Sequence, residues 1–327
     1  MNILITGAAG MIGRKLTARL VAERALNDKP IDHLKLLDVS LPPRPDEFST
    51  HAEAIGADIA DPGTARAAIA GRPDVIFHLA AVVSGEAELD FEKGAHVNFD
   101  GARVLLEAIR TAGRGYCPRF VFSSSIAVFG APFPDAISDD FALTPLTSYG
   151  TQKAMVELML ADYTRRGFVD GIGIRLPNIV VRPGKPNRAA SGFFSSIIRE
   201  PLNGEEAVLP VDEAVRNWHA SPRAAVGFLI HAAGLDGKSV APRVNMTMPG
   251  LSCTVAEQIA SLRRIAGDKV ASRIRYAPDA LIQRMVEGWP SRFDTRRATE
   301  LGFRAETSFD EIILAHINDE LGGKIAA

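Results

Sequence analysis

NILITGAAGMIG, residues 2–13, runs an apolar segment into three glycines spaced three apart, Gly7, Gly10 and Gly13. Asn2–Thr6 reads as a short buried strand that stops at a turn-forming residue. Ile12, Leu16, Leu20 and Val21 then recur at helical spacing over Met11–Ala25. Glycines at such a turn let the backbone bend tightly and let phosphates approach it. The helix start beyond them offers unpaired N–H groups and the positive end of its dipole. A glycine pattern alone is weak evidence, but this one lies between a strand and a helix, the context it requires. A plain strand-to-helix turn is the alternative.

The same alternation continues. Leu34–Leu37, Ala54–Ala57, Val75–Leu79, Phe120–Ser123 and Ile172–Leu176 read as further strands. Asp61 followed by Pro62 is a helix start. Val104, Leu105, Ala108 and Ile109 form the stripe of a helix after Asn98, and another helix runs over 148–165. Strands alternating with helices predict an α/β fold with a doubly wound parallel sheet of Rossmann type. Ligands of such sheets bind beyond the carboxyl ends of the strands. Gly7, Asp38, Asp58, Ala80 and Ser125 are therefore expected along one rim. Past about Val180 the alternation loosens. Residues 1–179 are expected to form the nucleotide-binding domain, and residues 180–327 mainly a smaller substrate-binding lobe with interleaved segments.

The bulk properties exclude more than they assign. A net charge of −2 gives no electrostatic reason to expect nucleic acid or an anionic membrane. No apolar run approaches the roughly 20 residues of a membrane helix. MNILITG leaves no room for a signal peptide ahead of the first strand, so a cytoplasmic protein is expected. Cys117 and Cys253 have no metal-like spacing and are expected to be free, buried thiols. The scattered histidines suggest no metal site.

Asp38, at the end of the second strand, is placed to accept hydrogen bonds from an adenosine ribose and to repel a 2′-phosphate. With Val39 after it, not an arginine, this favours NAD over NADP. Asp58 and Ile59 suit an adenine site, the acid accepting from the amine and the isoleucine covering the ring. A plain strand end is the alternative. Leu79, Ala80 and Ala81 supply room for a cofactor, whereas His78 inside an apolar strand reads as a core histidine. Tyr149 and Lys153, four apart in SYGTQKA, share one helix face.

In order, TGAAGMIG, Asp38, DIAD, HLAA, Asn98, SSSIAVFG and YGTQK resemble the extended short-chain dehydrogenase/reductase family over essentially the whole chain. The resemblance implies that Gly7, Gly10, Met11, Ile12 and Gly13 cradle NAD and that Tyr149 is the catalytic base. It implies that Lys153 binds the nicotinamide ribose and lowers the tyrosine pKa, that Ser125 holds the reacting oxygen, and that Asn98 helps position the lysine. Free tyrosine titrates near 10, and a neighbouring opposite charge draws a pKa down by roughly 1–3. The helices of residues 98–112 and 148–165 pair across a two-fold axis in similar proteins, which implies a homodimer through a four-helix interface.

RLPNIVVRPGKPNRAASGFFSSIIREPL, from Arg175 to Leu202, resembles the group in that family that oxidises the 2-hydroxyl of D-erythronate, a four-carbon sugar acid, with NAD. VRNWHASP (215–222) departs from the RDFIHVDD-like stretch of nucleotide-sugar enzymes, and Phe129 stands where many of those have tyrosine. A nucleotide-sugar epimerase or dehydratase with tightly bound NAD is the alternative. A sugar acid needs a cation for its carboxylate. Arg182, Lys185, Arg188 and Arg216 are the candidates, Arg182 and Arg188 foremost. Asn178 is a candidate for a substrate hydroxyl, and His219 reads as a packing residue.

Overall fold

The computed structural model describes residues 1–184 and 191–326. Seven strands build the central sheet: β1 Asn2–Thr6, β2 His33–Asp38, β3 Ala52–Gly56, β4 Val75–His78, β5 Arg119–Ser125, β6 Asp170–Leu176 and β7 Asn245–Thr247. Their order is β7-β6-β5-β4-β1-β2-β3, and every pairing is parallel. The chain moves outward from β1 to β3, then crosses back to lay β4 on the other side of β1. That reversal opens a crevice at the carboxyl ends of β1 and β4, the place where such sheets bind ligands.

The strands are apolar throughout because both faces are covered. Ile3, Ile5, Phe77, Val121, Ile172 and Ile174 pack on one side with Leu16, Leu20, Phe228 and Leu229. Leu4, Ile76, Phe120 and Phe122 pack on the other with Leu105, Ile109, Val156 and Leu160. Successive strand residues thus feed opposite cores, as the period of two demands.

The first helix spans Met11–Glu23, ending short of the expected Ala25. Arg24 takes a left-handed conformation at φ 52° and its N–H bonds Leu20, which stops the helix. The helix over Pro62–Ile69 starts as expected: Asp61 caps it by accepting from the Thr64 N–H at 2.7 Å. The turn at Ala95–Asp100 is π-helical, and the α-helix proper begins at Gly101.

A second core lies beside the sheet. Asn178–Ile179, Arg216–Ala220 and Leu251–Thr254 form a three-stranded sheet. The helices Gly192–Leu202, Val255–Ala266 and Phe309–Glu320 close over Phe194, Ile197, Leu262, Ile312 and Ile313. The two bodies share the chain: the helix Pro222–Gly234 packs on the central sheet, and β7 completes that sheet after two strands of the smaller one.

One expectation needs correction. Cys117 is exposed, and only Cys253 is buried. The helix Gly101–Thr111 buries its whole apolar stripe, Val104, Leu105, Leu106, Ala108 and Ile109. Exposed apolar side chains lie on the helix Ser148–Arg165, at Met155 and Leu158, and on the neighbouring Leu89 and Phe91. Among the described residues no helix is long and apolar enough to cross a membrane.

Candidate active site

Gly7 turns the chain out of β1 at φ +76°. A Cβ there would stand 2.5 Å from the Ala80 nitrogen and 2.6 Å from the Leu79 carbonyl carbon, both backbone atoms that cannot yield. Only glycine lets the loop lie against the end of β4. Gly10 starts the following helix with no side-chain cap, so the first-turn N–H groups are left for a ligand. Asp38 ties the loop down from β2, accepting from the Ala9 N–H at 3.0 Å and the Ser40 N–H at 3.2 Å. An uncapped helix start, a loop with no side chain in the way and an acid beside it fit a dinucleotide.

Beyond β3, Asp58 accepts from Ala60 N–H at 2.9 Å and lies 2.7 Å from His96 Nε2. Burial pushes the Asp58 carboxyl up, but the hydrogen bonds from His96 and the Ala60 N–H and the charge of His96 together outweigh it, and the group titrates below its usual range. His96 was not legible as a partner, because its position on the π turn could not be foreseen. Ile59 is a core residue, 4% exposed, lying under Gly101 and packed with Leu4 and Leu37. A covering role over a ring is therefore not what its position supports.

β5 ends in three serines with three different partners. Ser123 Oγ donates to the His78 carbonyl at 3.2 Å, Ser124 Oγ donates to Glu157 at 2.5 Å, and Ser125 Oγ accepts from the Ala127 N–H at 3.2 Å. The helix Ser148–Arg165 starts beside this turn. Thr147 Oγ1 caps it by accepting from Gly150 N–H at 3.1 Å. A Cβ on Gly150 would stand 2.1 Å from the Ala127 carbonyl oxygen, so glycine sets how closely Tyr149 approaches Ser125. The Ser125 hydroxyl lies near enough to the phenol to draw its pKa down.

Lys153 is fully buried and donates to the Ser123 carbonyl at 2.8 Å. Its Nζ lies 4.8 Å from the centre of the Phe122 ring and 5.6 Å from that of Tyr149. Burial drives the Lys153 pKa down to about 7, with Glu157 one turn below opposing the drop. Burial drives Tyr149 up to about 12, against the pull of the Ser125 hydroxyl. The expected lowering of the phenol by the lysine is thus not present in the protein alone. The ammonium is anchored on the Ser123 carbonyl, and only Ser125 acts in that direction.

Asn98 is buried, and its hydrogen bonds go to Val82 and Gln152. Its Oδ1 accepts from Val82 N–H at 2.9 Å, and its Nδ2 donates to Gln152 Oε1 at 2.8 Å. It therefore fixes the segment after β4 against the residue next to the lysine. Behind the helix, Arg175 grips Glu157 through Nε at 3.0 and 3.1 Å and through Nη2 at 2.8 Å. Arg175 also lies 3.6 Å from Asp139 and 4.9 Å over the Phe129 ring. His78, as expected, is a core residue, bonded to Thr6 Oγ1 at 2.7 Å. His219 is buried against Gln258 at 3.0 Å.

A cavity of about 560 Å³ opens over the crevice, within the range of small-molecule sites. It brings together Gly7, Gly10, Met11, Ile12, Gly13, Leu79, Ala81, Ser125, Tyr149, Lys153, Asn178 and Arg182. Asp38, Asp58, Ile59, Ala80 and Asn98 lie outside its lining. Arg216 is not brought to it. Strand alternation turns the neighbouring Asn217 into the cavity, while Arg216 donates to the Ser252 carbonyl at 3.0 Å and pairs with Glu257 at 3.4 Å. Lys185 and Arg188 lie outside the described residues. Arg199, Asn217 and Trp289 line the cavity without having been singled out. Arg199 sits in the helical run FFSSIIREPL, whose apolar majority masked it. Among the described lining residues there are three cations, Lys153, Arg182 and Arg199, and no aspartate or glutamate. No cluster of metal-binding side chains occurs among the described residues.

Residues 3–234 match the model of the NAD dependent epimerase/dehydratase family. The chain is 47% identical over 324 residues to the D-erythronate dehydrogenase of Cupriavidus necator, covering 98% of each protein. It is 41% identical to the D-erythronate dehydrogenase of Haemophilus influenzae, covering 98% of this chain and 100% of that one. Among solved structures it is similar to a protein described as the nucleoside-diphosphate-sugar epimerase from Agrobacterium tumefaciens. That likeness has a TM-score of 0.97 and 61% identity, and covers 100% of this chain and 96% of that one.

Proposed function

The chain belongs to the NAD dependent epimerase/dehydratase family, and on that premise we propose that it is an NAD-dependent dehydrogenase of a small sugar acid, converting D-erythronate to 2-dehydro-D-erythronate. The observation that carries this reading is a cavity that holds Ser125, Tyr149 and Lys153 and whose described wall has cations but no acid. Such a wall suits a substrate that carries its own carboxylate. The near full-length similarity to two D-erythronate dehydrogenases supports the same substrate.

When bound, oxidised NAD supplies the hydride acceptor and a positive charge beside the phenol. The protein's own groups manage the proton. Ser125 orients the substrate hydroxyl, and Tyr149 Oη takes its proton as the carbon-bound hydrogen leaves as hydride, so that a carbonyl results. A positioned base of this kind contributes about 10²–10⁴ in rate. Lys153, with a pKa near 7, titrates close to neutrality and holds or yields a proton at Nζ beneath the phenol. Asn98 and Gln152 are positioning residues. Asp38, at the end of β2, selects NAD over NADP. Of the two arginines foremost as carboxylate ligands, Arg182 is the described one. The segment after Val180 forms the substrate-facing lobe. The protein acts in the cytoplasm as a homodimer, with the exposed Met155 and Leu158 at its interface; light scattering that finds a monomer at micromolar concentration removes the dimer.

Adding D-erythronate and NAD should accumulate free NADH, and Tyr149→Phe should abolish turnover while leaving NAD affinity largely intact. Near-full activity in that variant overturns the base assignment. The second reading is a nucleotide-sugar epimerase, favoured by the 61% identical structure described as one. Turnover of a nucleotide sugar without net NADH would establish it.

A further inference from the structure

We propose that Arg199 and Arg182 form a two-guanidinium clamp for the substrate carboxylate, and that Arg199 is the residue that selects an acid over its neutral counterpart. The proposal deepens the dehydrogenase reading and rests on it.

The helix Gly192–Leu202 and its N-cap place Ser191, Ser195 and Arg199 four residues apart, on one face. All three line the cavity, as does Arg182. That face holds Arg182 in place. Its Nη2 donates to the Ser191 carbonyl and hydroxyl, each at 3.0 Å, and its backbone N–H donates to Ser195 Oγ at 3.1 Å. Arg199 in turn donates through Nη1 to the Arg182 carbonyl oxygen at 2.6 Å. The two guanidinium side chains are therefore fixed to each other by main chain and serines.

The charges do not balance. Arg199 Nη2 meets Glu200 at 2.6 Å, and among the described residues this is the only ion pair either arginine makes. The buried Arg199 and the half-buried Arg182 thus have a single paired carboxylate between them, Glu200 on Arg199, and the described cavity wall holds no acid. Burial, then the neighbouring charge of Arg199, presses Arg182 below the usual guanidinium range. Two like charges side by side are unfavourable unless an anion joins them. A guanidinium presents a planar fork that matches a carboxylate. Asn178 lines the same cavity, and its Nδ2 is a buried donor without a partner. An aldonate brings one carboxylate beside the hydroxyl to be oxidised, the charge that this wall lacks.

The test uses the full chain saturated with NADH and reads binding by calorimetry, alongside steady-state kinetics. Arg199→Lys keeps the charge and removes the fork; Arg199→Met with Glu200→Gln removes the pair without leaving Glu200 buried alone. Each should weaken D-erythronate binding by about 10- to 100-fold, as expected for losing charge-assisted hydrogen bonds. D-Erythronamide, which keeps the 2-hydroxyl but has no charge, should bind nearly as before, so that the preference for acid over amide narrows. The KM for NAD should stay unchanged. An acid-over-amide ratio that survives in both folded variants overturns the clamp. So does a loss confined to UDP-glucose binding, which would assign the arginines to a diphosphate. A wild-type enzyme that binds D-erythronate but oxidises no aldonate removes the functional reading while the binding ratio still decides the clamp.

Discussion

Replacing Glu157 with glutamine removes one negative charge and almost no volume, at a site 1% exposed. Among the described residues, Arg175 would then keep only Asp139, at 3.6 Å, as a charged partner. Breaking a buried pair by removing one side costs about 3–5 kcal/mol because it strands the other charge. Asp139 offsets part of this, so the low end, about 3 kcal/mol, is expected. With a urea m-value of about 3 kcal/mol/M, the unfolding midpoint should fall by about 1 M. Pairing Glu157→Gln with Arg175→Met should recover much of the loss, since a neutral pair strands nothing. The charge also acts upward on Lys153, holding its pKa up against burial. Without it the ammonium should lose its proton at a lower pH, and the alkaline limb of the rate profile should move to lower pH if that ammonium is required. Urea titration followed by tryptophan fluorescence, with a pH–rate series on the same protein, measures both effects. A midpoint within about 0.3 M of wild type, or an unmoved alkaline limb, would refute the view that this pair supports the lysine.

Gly7→Ala places an L residue at positive φ against Ala80. The conformation alone costs about 1–2 kcal/mol, so NADH affinity should fall roughly tenfold or more by fluorescence titration, with the fold retained by circular dichroism. His78 and His219 have folded pKa values near 3, well below the usual 6.5. The unfolded chain therefore binds more protons between those values, and stability should fall as pH drops from about 6.5 toward 3 in urea midpoints. Lys153 has the same sign in another window. Its folded pKa near 7 lies below the ordinary 10.5, so stability of the ligand-free protein should rise between about pH 7 and 10.5, and Lys153→Met should flatten that slope.

Strands of the central sheet were legible because both faces are buried, which leaves mainly apolar runs such as NILIT and VIFHL, followed by Gly7 and Ala80. β7 was not, since NMT is three residues long and its partner β6 lies far back in the chain. Gly7 was readable from its strand–helix context, whereas Ser125, Tyr149 and Lys153 were singled out by the family resemblance, spacing giving only the shared helix face of the last two. Site residues that depend on distant packing were not legible. Arg216 and Asn217 are adjacent, and only the register of Arg216–Ala220 against Leu251–Thr254 decides which one faces the cavity. Arg199 lies among Phe193, Phe194, Ile197 and Ile198, which read as core and are core. The electrostatics of Tyr149 were misjudged for a related reason. Spacing says that the ammonium shares its helix face but not that Ser123 captures it.

The edge strand β7 also bears on synthesis. Asn245 follows Leu176 by 69 residues. At roughly 5–20 residues per second, the ribosome takes about 3–14 s to cover that distance. For that interval the outer edge of β6 has no neighbour, and an open apolar edge invites pairing with another nascent chain. A truncation between Leu176 and Asn245 makes the interval permanent. Such fragments should be retained by chaperones or precipitate, even though they carry every residue of the nucleotide loop and the Ser–Tyr–Lys set.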